Sequence, residues 1–224
     1  MLPGMTGCIL SALSKPPPGV TLVHTSTSLS ATANYGPAFP GRWIVVIGLG
    51  GDSTFTYTGT FAATISGSSA TIISRTSTGD GTTHATGVAI FVGQPTGTSG
   101  TVTLSGTGTS NQGSFYVLSV SGYNMGSAFA SDTSLGSGNP SPNIAIPTKG
   151  LTLGVVQNSS LGSSSIGWST LTERIPDATL IGSHDVSVAW DFPMSASGSY
   201  AVTVGGTSTN NGWSAGTVAS FSPS

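Results

Sequence analysis

Apolar residues in this chain come in short runs, and Gly, Ser, Asn or Pro clusters close each one. The pattern predicts strands at Thr21–Thr25, Trp43–Leu49, Thr54–Phe61, Ala70–Ser74, Gly87–Val92, Thr101–Leu104 and Phe115–Val120. It continues with Asn143–Ile146, Leu151–Val156, Leu171–Arg174, Asp185–Trp190, Tyr200–Val204 and Thr217–Phe221. Two of these alternate with period two, Thr101-Val102-Thr103-Leu104 and Tyr200-Ala201-Val202-Thr203-Val204, so their threonines should face solvent and their apolar residues a core. Trp43-Ile44-Val45-Val46-Ile47 is apolar on both faces and should be a central strand covered on two sides. Many short strands at regular spacing argue for an all-β protein, an antiparallel two-sheet sandwich. No repeat of fixed period is visible, and the parsimonious organisation is one sandwich domain over residues 21–224. The Gly/Ser/Asn/Pro stretch Ser131–Pro142 reads as a mid-chain crossover. Residues 1–20 differ: Pro16-Pro17-Pro18-Gly19 favours extended polyproline geometry, as in an arm that docks elsewhere.

Composition explains why helices are not expected. Good helix formers such as Glu, Lys and Gln are scarce, while β-branched residues are plentiful. Only 5% of residues are charged, against about 25% in an ordinary soluble domain. There is one glutamate, Glu173, and there are two lysines, Lys15 and Lys149. The mean hydropathy of +0.22 sets the chain apart from disordered, highly charged sequences. With a net charge of −2 and no Lys/Arg cluster, it has no electrostatic footprint for nucleic acid or anionic membrane. No apolar run approaches the roughly 20 residues of a membrane-spanning helix. Residues 1–13 do not read as a signal peptide, and Cys8 is the only cysteine, which excludes an internal disulfide.

Candidate chemistry is thin. Gly48-Leu49-Gly50-Gly51 follows an apolar strand, but Ser53 replaces the last glycine of a dinucleotide fingerprint and strand-like residues follow. It reads as a strand-ending turn. His24, His84 and His184 are far apart, and only His184-Asp185 joins a histidine to a carboxylate, without a nucleophile elbow. Asp52, Asp80, Asp132, Glu173, Asp177, Asp185 and Asp191 show no paired spacing for acid–base work and no calcium-loop pattern. Asp80-Gly81 suits a hairpin turn, and Glu173-Arg174 a local ion pair or solvated strand end. No catalytic residue, metal or cofactor is expected. Tyr123, Trp168 and Trp213 lie in Gly/Ser/Asn-rich contexts, where aromatics serve either as glycan or partner contacts or as caps on a core.

Several segments taken in order carry a resemblance. They are Gly41-Arg42-Trp43-Ile44-Val45-Val46-Ile47-Gly48, Ala89-Ile90-Phe91-Val92, Gln94 through Leu104, and Tyr116-Val117-Leu118-Ser119-Val120-Ser121-Gly122. Gly167-Trp168-Ser169-Thr170-Leu171-Thr172-Glu173 and the closing Ala215 through Pro223 complete the set. Over about residues 40–223 the chain resembles a loosely defined group of tailed-bacteriophage virion proteins. The resemblance implies a jelly-roll-like sandwich on the outer surface of a virion, made in the host cytoplasm and without catalytic residues. Head decoration or a head spike leads; a tail or fibre component and a carbohydrate-binding module for host glycans are alternatives. The implied partners are the major capsid protein or other virion proteins, with a homo-oligomer, a trimer or higher, suited to a symmetric particle. Pro16, Pro17 and Pro18 mark the expected docking arm.

Overall fold

The computed structural model describes residues 16–52, 61–79, 85–106, 113–136, 141–158, 166–181, 184–194, 197–202, 204–205 and 214–224. The protein is all-β and antiparallel. The first half of the chain contributes β1 (Gly19–Ser26), β2 (Ser30–Asn34), β3 (Trp43–Asp52), β4 (Ala62–Ile65), β5 (Ser68–Ser69), β6 (Thr71–Gly79), β7 (Ala85–Gly93), β8 (Ser99–Ser105) and β9 (Gly113–Ser121). The second contributes β10 (Ala130–Gly136), β11 (Asn143–Ile146), β12 (Leu151–Asn158), β13 (Gly167–Trp168), β14 (Glu173–Ile181), β15 (His184–Asp191), β16 (Gly198–Ala201), β17 (Val204–Gly205) and β18 (Ser214–Phe221).

Two five-stranded sheets, ordered β1-β9-β3-β7-β6 and β10-β18-β12-β15-β14, face each other as the central sandwich. Val45, Ile47, Val88, Ile90 and Leu118 of the first sheet meet Leu153, Val155, Val186, Val188 and Ala219 of the second in one buried cluster. The expected double burial of the Trp43–Ile47 run is present. Val45 and Ile47 face this central core, while Ile44 and Val46 face a second core under the outer sheet β2-β8-β4-β5. The second five-stranded sheet is covered in the same way. Small pairs β11-β16 and β13-β17 roof its far face over Ile144, Ile146, Leu171, Val202 and Val218. The sandwich is therefore a stack in which both principal sheets are buried on both faces. This explains why β12 and β18 are buried along their whole length.

The halves repeat one topology. β3 lies between β9 and β7, as β12 lies between β18 and β15, with β1 and β6 matched by β10 and β14 at the edges. β2-β8-β4 is matched by β11, the successive segments β16 and β17, and β13. A β-bulge recurs at the matched place: Ile72 and Ser74 oppose Phe91 and Ile90, and Glu173 and Ile175 oppose Ala189 and Val188. Matched residues point the same way, so like faces meet in the central core, as in the isologous contact of a two-fold dimer.

Several expectations change. Ser131–Pro142 is not a crossover loop: Ala130–Gly136 is an edge strand paired with β18. Its polar residues are tolerated because an edge strand meets solvent, and Asp132 fastens its exit by accepting from the amides of Thr133 and Asn143. Leu171 fills the outer core, and the strand starts only at Glu173. Tyr200–Val204 is split between β16 and β17. Gly48–Gly51 is no turn; β3 runs straight through it to Asp52. Thr54–Thr60 and Asp80-Gly81 lie outside the described residues. Of the expected arm, residues 1–15 lie outside the described residues, but Gly19 and Val20 are already strand. Pro16–Pro18 leads into it along the body, with the Pro17 carbonyl accepting from Ser121 Oγ at 2.7 Å. Pro18 lies so close to Gly122 that a Cβ there would stand 2.7 Å from its Cα.

Candidate functional site

The aromatic residues singled out in sequence do not form a common surface. Tyr123, in the connection from β9 to β10, is only 1% exposed and joins the central core. Its ring meets Phe192 edge-on at 6.1 Å, and burial raises its phenol above the ordinary value. It is thus a core residue and no contact for a glycan. Trp168 is half-buried over the outer face of β12. There it needs Gly154, since a Cβ at that position would stand 2.7 Å from Trp168 Cζ3. Its Nε1 donates to Ser187 Oγ at 2.8 Å, and that hydroxyl donates to the Glu173 carboxylate. Trp213 lies outside the described residues.

The ionisable residues are dispersed. His184 is 3% exposed, with its ring against β3; a Cβ at Gly51 would stand 2.8 Å from its Nε2. His24 is tilted against Phe115 at 6.1 Å, and His84 lies outside the described residues. Arg174 pairs with Asp191 at 3.3 Å rather than with its neighbour Glu173, because adjacent strand residues point to opposite faces. Asp191 also accepts from the amide and hydroxyl of Thr172. Asp132, Glu173 and Asp191 are thus engaged in holding strands and loops. Among the described residues no group of three His, Cys, Asp or Glu side chains gathers where a metal could sit.

The most unusual polar site is one that sequence reasoning passed over. Arg42 precedes β3 and is 3% exposed. Its Nη1 donates to the carbonyls of Gly36 and Pro37, both at 2.9 Å. Its Nη2 donates to Pro95 at 2.9 Å and Gly97 at 2.5 Å. The guanidinium carbon stands 5.9 Å from the centre of the Tyr35 ring. Burial lowers its proton affinity below the ordinary value, and Tyr35 opposes that shift. Nε has no partner, and among the described residues no carboxylate pairs with this cation. One buried charge thus ties the loop before β3 to the loop after β7. The sequence did carry a signal, an arginine between the Gly36–Gly41 loop and a wholly apolar strand in a chain with so few charges.

Grooves flank this tie. One of about 420 Å³ runs between Ser66–Ala70 and the Gln94–Ser99 loop. A second of about 420 Å³ lies between Phe39–Arg42 and Gln94–Thr96. A third of about 300 Å³ is lined by Pro16, Pro17, Tyr35, Pro37 and Phe39 with hydroxyls of Ser119 and Ser121. The first two share the wall Gln94, Pro95 and Thr96, the last two share Phe39, and Arg42 lines the second.

No protein-family model, curated protein or solved structure matches this chain. The chemistry of the site is therefore read from its own residues. Hydroxyls, amides, flat Pro and Phe faces and one buried cation can bind and orient a polar chain. They present no nucleophile paired with a base.

Proposed function

We propose that this protein is a non-enzymatic structural component of the outer surface of a virus particle, a head decoration or cement protein. The observation that supports this reading most directly is the solvent face of the outer sheet. On it Ser30, Thr103 and Thr64 stand side by side in register, followed by Thr32 beside Thr101 and Asn34 beside Ser99. Ser30 Oγ and Thr103 Oγ1 are 3.1 Å apart. The face presents hydroxyls and amides and no ion, above a cluster of buried apolar residues. Little of the stability of such a surface depends on charge pairs that salt screens. A coat exposed to variable ionic surroundings needs that property. The resemblance to tailed-phage virion proteins, read from the order of segments in the sequence alone, is the other ground for it.

The decisive experiment locates the protein. Particles purified by density gradient from producing cells should contain it at fixed stoichiometry to the major capsid protein. Antibody labelling should place it on the outside of heads. Its absence from particles, or its labelling on tails alone, overturns the head assignment.

A further inference from the structure

We propose that the grooves flanking the Arg42 tie bind an acidic polysaccharide, with Arg42 supplying the positive potential and the groove walls the sugar contacts. This inference does not depend on the particle reading, and it concerns a surface other than Tyr123, Trp168 and Trp213.

The molecule contains its own control. In the pairing of central strands, Trp43 opposes Val120 as Leu151 opposes Phe221, so the position matching Arg42 is Gly150. The same topology is built in the second half without a buried cation there. The repeated sheet topology does not itself call for a cation at this position. A charge taken out of water is costly, and a buried one is ordinarily paired. Here four carbonyl dipoles hold it without neutralising it.

The grooves complement an anion. Arg42 lines the second groove and is the only charged residue in the walls of the three, so no charged side chain there opposes its field. Low-dielectric walls around a single sign of charge focus that field into the cleft. The rest of the lining selects the class of anion. Ser66, Ser68, Gln94 and Thr96 offer hydroxyl and amide groups that match sugar hydroxyls. Phe39 and Pro95 offer flat apolar faces of the kind a pyranose ring covers. The third groove is the more apolar, walled by Pro16, Pro17, Val23, Pro37 and Phe39.

The test uses the full-length protein and calorimetric titration. The probes are oligogalacturonate, a neutral glucan of the same length, and a polyglutamate peptide. Oligogalacturonate should bind saturably, weaken as sodium chloride rises, and exceed the neutral glucan and the peptide by about tenfold. Gln94→Ala/Thr96→Ala changes two exposed residues and should weaken binding about tenfold with an unchanged melting temperature. Arg42→Met should abolish the preference for the acidic chain. Absent binding, equal affinity for the neutral glucan, tighter binding of polyglutamate, or indifference to the Gln94/Thr96 change each overturns the proposal.

Discussion

Replacing Arg42 by methionine isolates the contribution of a buried cation held only by main-chain carbonyls. The substitution keeps the aliphatic stem and removes four hydrogen bonds. Pro37 and Gly97 are exposed, so water replaces the lost donor to their carbonyls at little cost. Gly36 and Pro95 are half-buried, and each carbonyl left short of a donor costs about 1–3 kcal/mol. The methionine gives back about 1 kcal/mol through apolar burial and the relieved desolvation of the charge. The expected net loss is about 3 kcal/mol, which for a chain of this size lowers the melting temperature by roughly 6–12 °C. Urea unfolding followed by tryptophan fluorescence gives the first number and calorimetry the second. Arg42→Lys should recover less than half of the loss, because a lysine ammonium cannot spread four donors over two loops as the planar fork does. A Met variant within about 0.5 kcal/mol of the parent, the ordinary range of a surface substitution, would refute the account of Arg42 as the tie between these loops.

Gly154→Val should displace Trp168 from β12 and cost about 1–3 kcal/mol, with the Trp168 indole N–H signal losing its hydrogen-bonded position in NMR spectra. An unmoved signal contradicts the close approach. The Tyr116 phenol is pushed up to about 12 by burial. The unfolded chain loses that proton first, near 10, so Tyr116 lowers stability as pH rises from about 10 to 12 and has no effect below that window. A spectrophotometric titration in which every described tyrosine ionises near 10 before unfolding would exclude this. Removing residues 1–19 should cost about 1–2 kcal/mol, because the acceptor for Ser121 and the first rung of β1 go with it.

The all-β antiparallel fold was legible because strand signals are local. Apolar pairs such as Val45 and Ile47 alternate with residues of the opposite face, and turn residues bound each run. Edge strands were not legible. β10 carries Ser131, Asp132, Thr133 and Ser134 in its middle and one large apolar residue, Leu135, and only its pairing with β18 makes it a strand. The topological repeat was hidden for a related reason. Loops differ in length between the halves, so matched pairs such as Val45 and Leu153, or Val92 and Trp190, are not separated by a constant spacing. The site was illegible because burial of Arg42 depends on two loops that are far apart in sequence. Tyr123 misled because a Gly/Asn neighbourhood describes the backbone around it and says nothing of the core beneath it.

The matched halves raise a question of energetic dependence that their topology alone does not answer. The first half has an outer core of thirteen buried residues among those described, including Tyr35, Phe61, Phe91 and Phe115. Among the described residues the second has eight in two clusters, six including Ile144 and Val218 and the pair Val156 and Ile166, with no aromatic fully buried. Buried apolar area is the main stabilising term, and among the described residues the outer core of the second half holds less of it. Its principal sheet must depend on the central core, where Val186, Val188 and Trp190 pack with residues of the first sheet. Two strands so coupled cannot open separately. In native-state hydrogen exchange the amides of β12 should therefore share the slowest, global opening with those of β3, although β12 belongs to the half with the smaller core. Ile90→Ala, in the central core but on the first half, should cost about 2–5 kcal/mol and accelerate exchange in β12 as much as in β3. If β12 exchanged through a cheaper opening that Ile90→Ala left untouched, the halves would be two independent sandwiches that merely touch.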